Sequence, residues 1–191
     1  MNLIFATHNT YKVEELKQLI PKSIYLLSLH DIGCNIEIEE TGKSLEENAK
    51  IKADFVRYKY GLDCFADDSG LEIEVLDGAP GVHSARYAGS RKDMKANIEK
   101  VWEELNEIKH PKAWFRSVFY VHFCGKEYQL SGSVEGSIIH EKRGNKGFGY
   151  DPIFVPKGYK KTFAELGEDV KNKISHRAIA SRELIKILSL S

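Results

Sequence analysis

The run Ala113-Trp114-Phe115-Arg116-Ser117-Val118-Phe119-Tyr120-Val121-His122-Phe123 constrains the fold more than any other stretch of the chain. Phe115, Phe119, Val121 and Phe123 share one parity, and Trp114, Val118 and Tyr120 share the other, so this is a strand with both faces largely covered. Cys124-Gly125-Lys126-Glu127 reads as a hairpin turn into a strand from Tyr128 to Val134, and Ser137-Ile138-Ile139 continues the meander. A chain of 191 residues, 42% hydrophobic and with only 5 prolines, can bury a core of that kind without staples. We expect one large domain or two intimately packed lobes.

Lysine plus arginine and aspartate plus glutamate number 28 each, so no global field advertises nucleic acid or membrane. A polyanionic ligand must be held by a local cluster instead. Cys34, Cys64 and Cys124 are odd in number and widely spaced, which suggests neither a disulfide framework nor a zinc site and fits cytoplasmic thiols. The amino terminus enters an apolar strand at once, with no basic leader and no long apolar segment, so neither a signal peptide nor a membrane span is expected.

Four stretches carry chemistry. Asn2 to Ala6 reads as a strand that ends in Thr7-His8-Asn9-Thr10-Tyr11-Lys12, after which Val13, Leu16, Leu19 and Ile20 recur at helical spacing as far as Pro21. A strand that feeds a polar turn and then a helix presents free N–H groups and the positive end of a dipole, a seat for a phosphate to which Lys12 adds a mobile charge. An ordinary connecting turn with Thr or Asn as helix cap is the alternative.

The second stretch is Phe65-Ala66-Asp67-Asp68-Ser69-Gly70-Leu71, which sets two carboxylates, a hydroxyl and a glycine between the strand-like runs Cys64-Phe65-Ala66 and Leu71 to Val75. Paired carboxylates can hold a hard cation and orient a water, although Asp-Asp-Ser-Gly is also a good Asx turn. Upstream, Ile24 to Leu29 reads as a second strand and Ile36-Glu37-Ile38-Glu39-Glu40 as a third. A capping box at Ser44 to Glu47 then opens a structural helix with Leu45, Ala49, Ala53, Val56 and Tyr60 on one face. Glu39 and Glu40 are candidates for a second metal carboxylate. Downstream, the Gly- and Pro-rich loop Asp77 to Gly89 can pass close to a ligand or partner, and Met94, Ile98, Val101, Leu105 and Ile108 mark a helix that His110-Pro111 ends.

The third stretch is Lys142-Arg143-Gly144-Asn145-Lys146-Gly147-Phe148-Gly149-Tyr150-Asp151-Pro152, in which glycines allow close approach and an aromatic can lie flat against a base. The fourth is Lys171 to Arg177 ahead of a final helix with Ala178, Ile185 and Leu188 on its core face. Ser175 is a good cap, which places His176 and Arg177 in a first turn where cations oppose the dipole, so an anionic or carbonyl-bearing ligand is suggested. His122 and His140 lack ligand-like spacing and read as surface or satisfied core histidines.

Taken in order, Thr-x-Asn-x-x-Lys, Ala-Asp-Asp-Ser-Gly-Leu, Gly-Phe-Gly-Tyr-Asp-Pro and Ser-His-Arg resemble the inosine triphosphate pyrophosphatase family, over about Leu3 to Leu188. The resemblance implies an α/β fold with an elongated central mixed sheet, flanking helices and two lobes around a substrate cleft, formed by the whole chain 1–191. It further implies a cytoplasmic homodimer and Mg2+-dependent cleavage of ITP, dITP or XTP to the monophosphate and pyrophosphate, with no nucleic acid or membrane involved. By motif, Thr7, His8, Asn9, Thr10, Tyr11 and Lys12 would bind the triphosphate. Glu40, or Glu39 if the register slips, and Asp68 would hold the metal, with Asp68 also the catalytic carboxylate. Ser69 would contact substrate, Phe148, Gly149, Tyr150, Asp151, His176 and Arg177 would frame the base, and Lys171 would lie nearby. His8 departs from the resemblance, since that family commonly carries Gly or Asn there. Arg177 is expected to read the 6-oxo group that hypoxanthine and xanthine present and adenine lacks. A pyrophosphatase of the related Maf type and a non-catalytic nucleotide-binding protein are the competing readings.

Overall fold

A computed structural model of the chain describes residues 1–89 and 93–189. The elements in order are β1 (Asn2–Phe5), α1 (Thr10–Leu19), β2 (Tyr25–Ser28), α2 (Leu45–Tyr60), β3 (Cys64–Ile73), α3 (Met94–Leu105), β4 (Lys112–Phe123), β5 (Lys126–Ile138), β6 (Phe154–Pro156), α4 (Phe163–Leu166), α5 (Glu168–Ile174) and α6 (His176–Leu188). Short 3-10 segments at Glu74–Leu76 and Gly81–Arg86 follow β3. The strands form one six-stranded sheet in the order β2-β1-β3-β4-β5-β6. β1 runs parallel to both β2 and β3, whereas β5 and β6 are antiparallel, so the sheet is mixed and the fold α/β.

The chain divides into two compact units. The first comprises Met1–Asp68, Ser117–Gly132 and Arg177–Ser191, and the second Ser69–Arg116 and Ser133–His176. In the first unit, Leu3 and Phe5 of β1, Phe65 of β3 and Phe119, Val121 and Phe123 of β4 pack against Val13 and Leu16 of α1 and Ala180, Leu184 and Leu188 of α6. The Phe5 and Phe65 rings stack with centroids 4.5 Å apart. In the second unit, Leu71 and Ile73 of β3, Phe115 of β4 and Ile138 of β5 pack against Ile98, Val101 and Leu105 of α3, with Phe154 and Phe163 closing the cluster. The doubly covered character of 113–123 has this origin: Val118 and Phe119, adjacent and so on opposite faces, are both fully buried.

Several expectations need correction. Asp67 to Gly70 is the middle of β3 rather than a turn, because β3 continues unbroken from Cys64 to Ile73. Ladder pairing and burial outweigh the turn preference of Asp, Ser and Gly here. Gly70 serves contact and not conformation, since a Cβ at that position would overlap the carbonyl of Gly81. Ile36 to Glu40 forms no strand. Its alternation has no buried face behind it, and Ile36 is 44% exposed. β3 gives way to a 3-10 turn at Glu74, and α3 ends at Leu105 and not at His110. The strand after the hairpin is a single β5, and its two-residue turn places Cys124 and Gly125 at φ 48 and 74, the mirror-image geometry that suits strand twist. In α6, Ala178 and Leu188 are buried as expected, but the core residue between them is Leu184, with Ile185 only half-buried. β6, α4 and α5 had no counterpart in the sequence reading.

Candidate active site

In the first unit, β1 ends and α1 begins across Thr7, His8 and Asn9. The Asn9 side chain caps α1 by accepting from the Lys12 N–H at 3.3 Å, and the Thr7 Oγ1 accepts from the Asn9 N–H at 3.1 Å. No acidic residue occupies the first turn of α1, so nothing there cancels the attraction of the helix end for an anion. His8 turns away from this role: its Nε2 lies 2.9 Å from the Ile36 carbonyl, which makes that nitrogen the donor. Tyr11 is 56% exposed.

The adjacent carboxylates of β3 point to opposite faces of the strand and meet different surroundings. Asp67, fully buried, accepts from the Lys12 ammonium at 2.8 Å and from the Arg177 guanidinium at 3.4 Å. The same guanidinium, 1% exposed, also grips Glu15, one helical turn beyond Lys12 on α1. Burial alone would raise the Asp67 pKa, but Lys12, Arg177 and Lys52 together hold it well below the usual carboxylate range. Burial also pushes Lys12 below its ordinary value against the pull of Asp67, whereas Arg177 is pushed up because Glu15 and Asp67 outweigh its desolvation.

Asp68 accepts from the Asn48 amide at 3.1 Å and lies 3.7 Å from the Lys52 ammonium. Burial, reinforced by Glu40, raises its pKa despite Lys52 and Lys12. Lys52 in turn donates to Glu40 at 2.5 Å, and the attraction of Asp68, Glu40 and Asp67 raises its pKa in spite of its burial. Asn48 and Lys52 stand four residues apart on α2, on the face that otherwise carries Leu45, Ala49, Ala53 and Val56 into the core. The sequence reading treated α2 as structural and missed both, together with Glu15. The available signal was a lysine and an asparagine interrupting an apolar stripe.

Glu40 and Asp68 therefore share one ammonium. That pair of hard oxygen donors, already gathered around a cation, fits Mg2+, which is bound through one or two carboxylates plus substrate phosphates and waters. Among the described residues no group of three or more His, Cys, Asp or Glu side chains converges to form a closed metal cage.

In the second unit, the loop around Gly147 is built by Asp151. Its Oδ2 accepts from the Phe148 N–H at 2.8 Å and from the Lys171 ammonium at 2.7 Å, and a Cβ at Gly147 would collide with it. Lys171, only 5% exposed, also stands 4.6 Å from the centroid of the half-buried Phe148 ring. Tyr150 faces inward: it is buried, and its hydroxyl donates to the Ser84 carbonyl at 2.8 Å. The Ser84 hydroxyl accepts from the Leu71 N–H at 2.9 Å and donates to the Gly81 carbonyl, which ties the loop after β3 to the strand that carries Ser69. His176 is buried with its ring stacked on Phe115 at 5.0 Å. Thus the structure gathers Lys12, Glu40, Asp68 and Arg177 around Asp67 and Lys52 in one unit, and Phe148, Asp151 and Lys171 in the other.

His122 and His140 are not gathered into either group. His122 is buried against Asp54 at 2.7 Å, and His140 stacks on Trp102.

The sequence profile of the Ham1 family matches residues 3–187. A dITP/XTP pyrophosphatase of Christiangramia forsetii is 56% identical over 99% of this chain and 100% of its own length. One from Bacillus subtilis is 51% identical over 97% of this chain and 96% of its own length. Among solved structures, a HAM1 protein from Coxiella burnetii superposes with a TM-score of 0.90 at 36% identity, covering 100% of both chains. The Ham1 protein of Staphylococcus aureus gives 0.89 at 35% identity, covering 99% of this chain and 98% of that one.

Proposed function

Because this chain belongs to the Ham1 family, we propose that it hydrolyses deaminated purine nucleoside triphosphates, ITP, dITP and XTP, to the monophosphate and pyrophosphate. The observation that carries the reading is the divergence of Asp67 and Asp68. Neighbouring carboxylates whose surroundings push their proton affinities apart take different tasks. Asp67, locked by Lys12 and Arg177, stays ionised and holds cations in place. Asp68, whose proton affinity burial raises in the absence of a cation, accepts from Asn48 and stands beside Lys52, and is the one placed to orient a water.

In this scheme the α1 N–H groups and Lys12 receive the phosphates. Asp68, steadied by Asn48 and Lys52, orients a water toward the α-phosphorus and accepts its proton as the new P–O bond forms and pyrophosphate leaves. Glu40 and Asp68 would hold Mg2+, which when bound supplies charge neutralisation at the phosphate oxygens. Phe148 offers a ring face to the base, with Asp151 holding its backbone N–H and Lys171 standing 4.6 Å from the ring centroid. Ser69, next to Asp68 in β3, is placed in the scheme as a substrate contact. A homodimer in the cytoplasm completes the proposal. It is supported by the family resemblance. Among the described residues no helix is long and apolar enough to cross a membrane.

The test is pyrophosphate release across ITP, dITP, XTP, ATP, GTP and a pyrimidine triphosphate, with Mg2+ and with EDTA. Release confined to the deaminated purines and abolished by EDTA is expected. A preference for a pyrimidine, or no release from any nucleotide, would overturn the function. Full activity in EDTA would remove the metal from it.

A further inference from the structure

Met94 opens α3, immediately after the cap Asp93, whose carboxylate accepts from the Lys95 and Ala96 N–H groups and so fixes the start of the helix. Its sulfur accepts a hydrogen bond from the Gly149 N–H at 3.0 Å. Gly149 sits between Phe148 and Tyr150, at φ 62, in the loop assigned above to the base. That loop is also held by Phe148 N–H to Asp151 and by the Tyr150 hydroxyl to the Ser84 carbonyl. Met94 is a further anchor of the loop, and it is 46% exposed. The chain has only two methionines, the other being Met1.

We propose that Met94 is a reversible oxidation site through which peroxide loosens the base loop, an inference that rests on the function proposed above. A thioether is a weak acceptor with polarisable lone pairs, and an exposed one reacts with hydrogen peroxide. The sulfur lone pair attacks one peroxide oxygen, the O–O bond breaks, and the products are the sulfoxide and water. Sulfur is oxidised by two electrons and peroxide is reduced by two. A thiol-dependent methionine sulfoxide reductase returns the thioether. The added oxygen stands where Gly149 N–H now meets sulfur. An N–H···O bond of about 2.9 Å to that oxygen sets the loop back from the sulfur by roughly 1 Å, or the contact is lost. Phe148 moves with its neighbour. One net hydrogen bond is typically worth about 2- to 13-fold, and here only one of several anchors changes, so a loss of about 3- to 10-fold in affinity for the base is expected.

The experiment treats the full chain with hydrogen peroxide, then with dithiothreitol to reverse cysteine sulfenic acids and disulfides, and locates the added oxygen by peptide mass spectrometry. KM and kcat for ITP are measured, together with IMP binding by equilibrium dialysis, before treatment, after it, and after methionine sulfoxide reductase. The expected result is oxygen on Met94, a 3- to 10-fold rise in KM and in the IMP dissociation constant with a smaller change in kcat, and restoration by the reductase. Met94→Leu, which keeps Met1 and all cysteines, should show no change on peroxide treatment relative to its own untreated sample. Absence of oxygen at Met94, unchanged KM and IMP binding with Met94 oxidised, or an equal loss in Met94→Leu would each overturn the proposal. Failure of the function itself shows separately, as untreated protein that releases no pyrophosphate from ITP.

Discussion

Replacing Arg177 by alanine separates two tasks that its position could serve. The guanidinium is 1% exposed and spans Glu15 and Asp67. Removing it leaves Asp67 with Lys12 at 2.8 Å but deprives Glu15, 10% exposed, of this contact. Deleting one partner of a buried ion pair costs about 3–5 kcal/mol. At about 2–4 °C per kcal/mol for a chain of this size, Tm should fall by roughly 6–20 °C. Lysine should recover less than half of that, because one ammonium cannot reproduce a fork that reaches two carboxylates. There is also a pH signature. The Asp67 pKa lies below its ordinary 3.8, so its contribution to stability is present above about pH 4 and fades as pH falls through the folded value. Loss of Arg177 raises that folded value toward the unfolded one, so the acid loss of stability due to Asp67 still begins near pH 4 but should be smaller and complete at a higher pH than in wild type. The assay is thermal unfolding from pH 2 to 8, combined with the ITP-to-ATP ratio of kcat/KM. If Arg177 serves the carboxylates, both substrates lose rate together. If it reads the 6-oxo group, the ratio falls by about tenfold to a hundredfold, the worth of one charge-assisted hydrogen bond. A Tm within 2 °C of wild type would refute the ion-pair reasoning outright.

Three further outcomes follow from the geometry. Asp68→Asn should keep the fold, since the amide can still meet Asn48, but should lose about 10²- to 10⁴-fold in turnover; near wild-type rate at saturating Mg2+ would remove Asp68 from the chemistry. Gly70→Ala should cost about 1–3 kcal/mol by forcing β3 off the Gly81 carbonyl, and a urea midpoint equal to wild type would show that the contact yields freely. At pH 8 one thiol of the three should react quickly with a disulfide reagent, because Cys124 is exposed whereas Cys34 and Cys64 are buried and burial pushes Cys64 up to about 12; two fast thiols in the folded protein would contradict this.

How much of this was legible in the sequence depended on length and periodicity. β4, α1, α2 and the hairpin at Cys124-Gly125 each carry a long period or a defined turn chemistry, and each was read close to its observed bounds. α4 has four residues and β6 three, too few to show a period. Even so, Thr162 and Glu165 form a capping box that was there to be read. The Asp-Asp pair misled because local preference favours a turn at these residues, whereas pairing along a ten-residue strand overrides it. The motif residues were found because they stand together in sequence. Glu15, Asn48 and Lys52 were not, because each lies on a helix whose amphipathic pattern accounts for its neighbours, and only the fold brings Glu15 to Arg177 and Asn48 and Lys52 to Asp68.

The placement of Lys52 between Glu40 and Asp68 has a consequence for how the resting protein behaves. Two carboxylates facing each other would repel and splay, and the site would have to be assembled anew for each turnover. Lys52 acts instead as a tethered counter-ion that keeps the pair closed. A divalent cation that enters there must then compete with a covalently attached rival at high local concentration, so its affinity in the absence of nucleotide is expected to be weak. A triphosphate changes the contest by giving the displaced ammonium a new anionic partner. Metal and nucleotide should therefore promote each other's binding, and the free protein should ignore concentrations of Mg2+ that saturate the nucleotide complex.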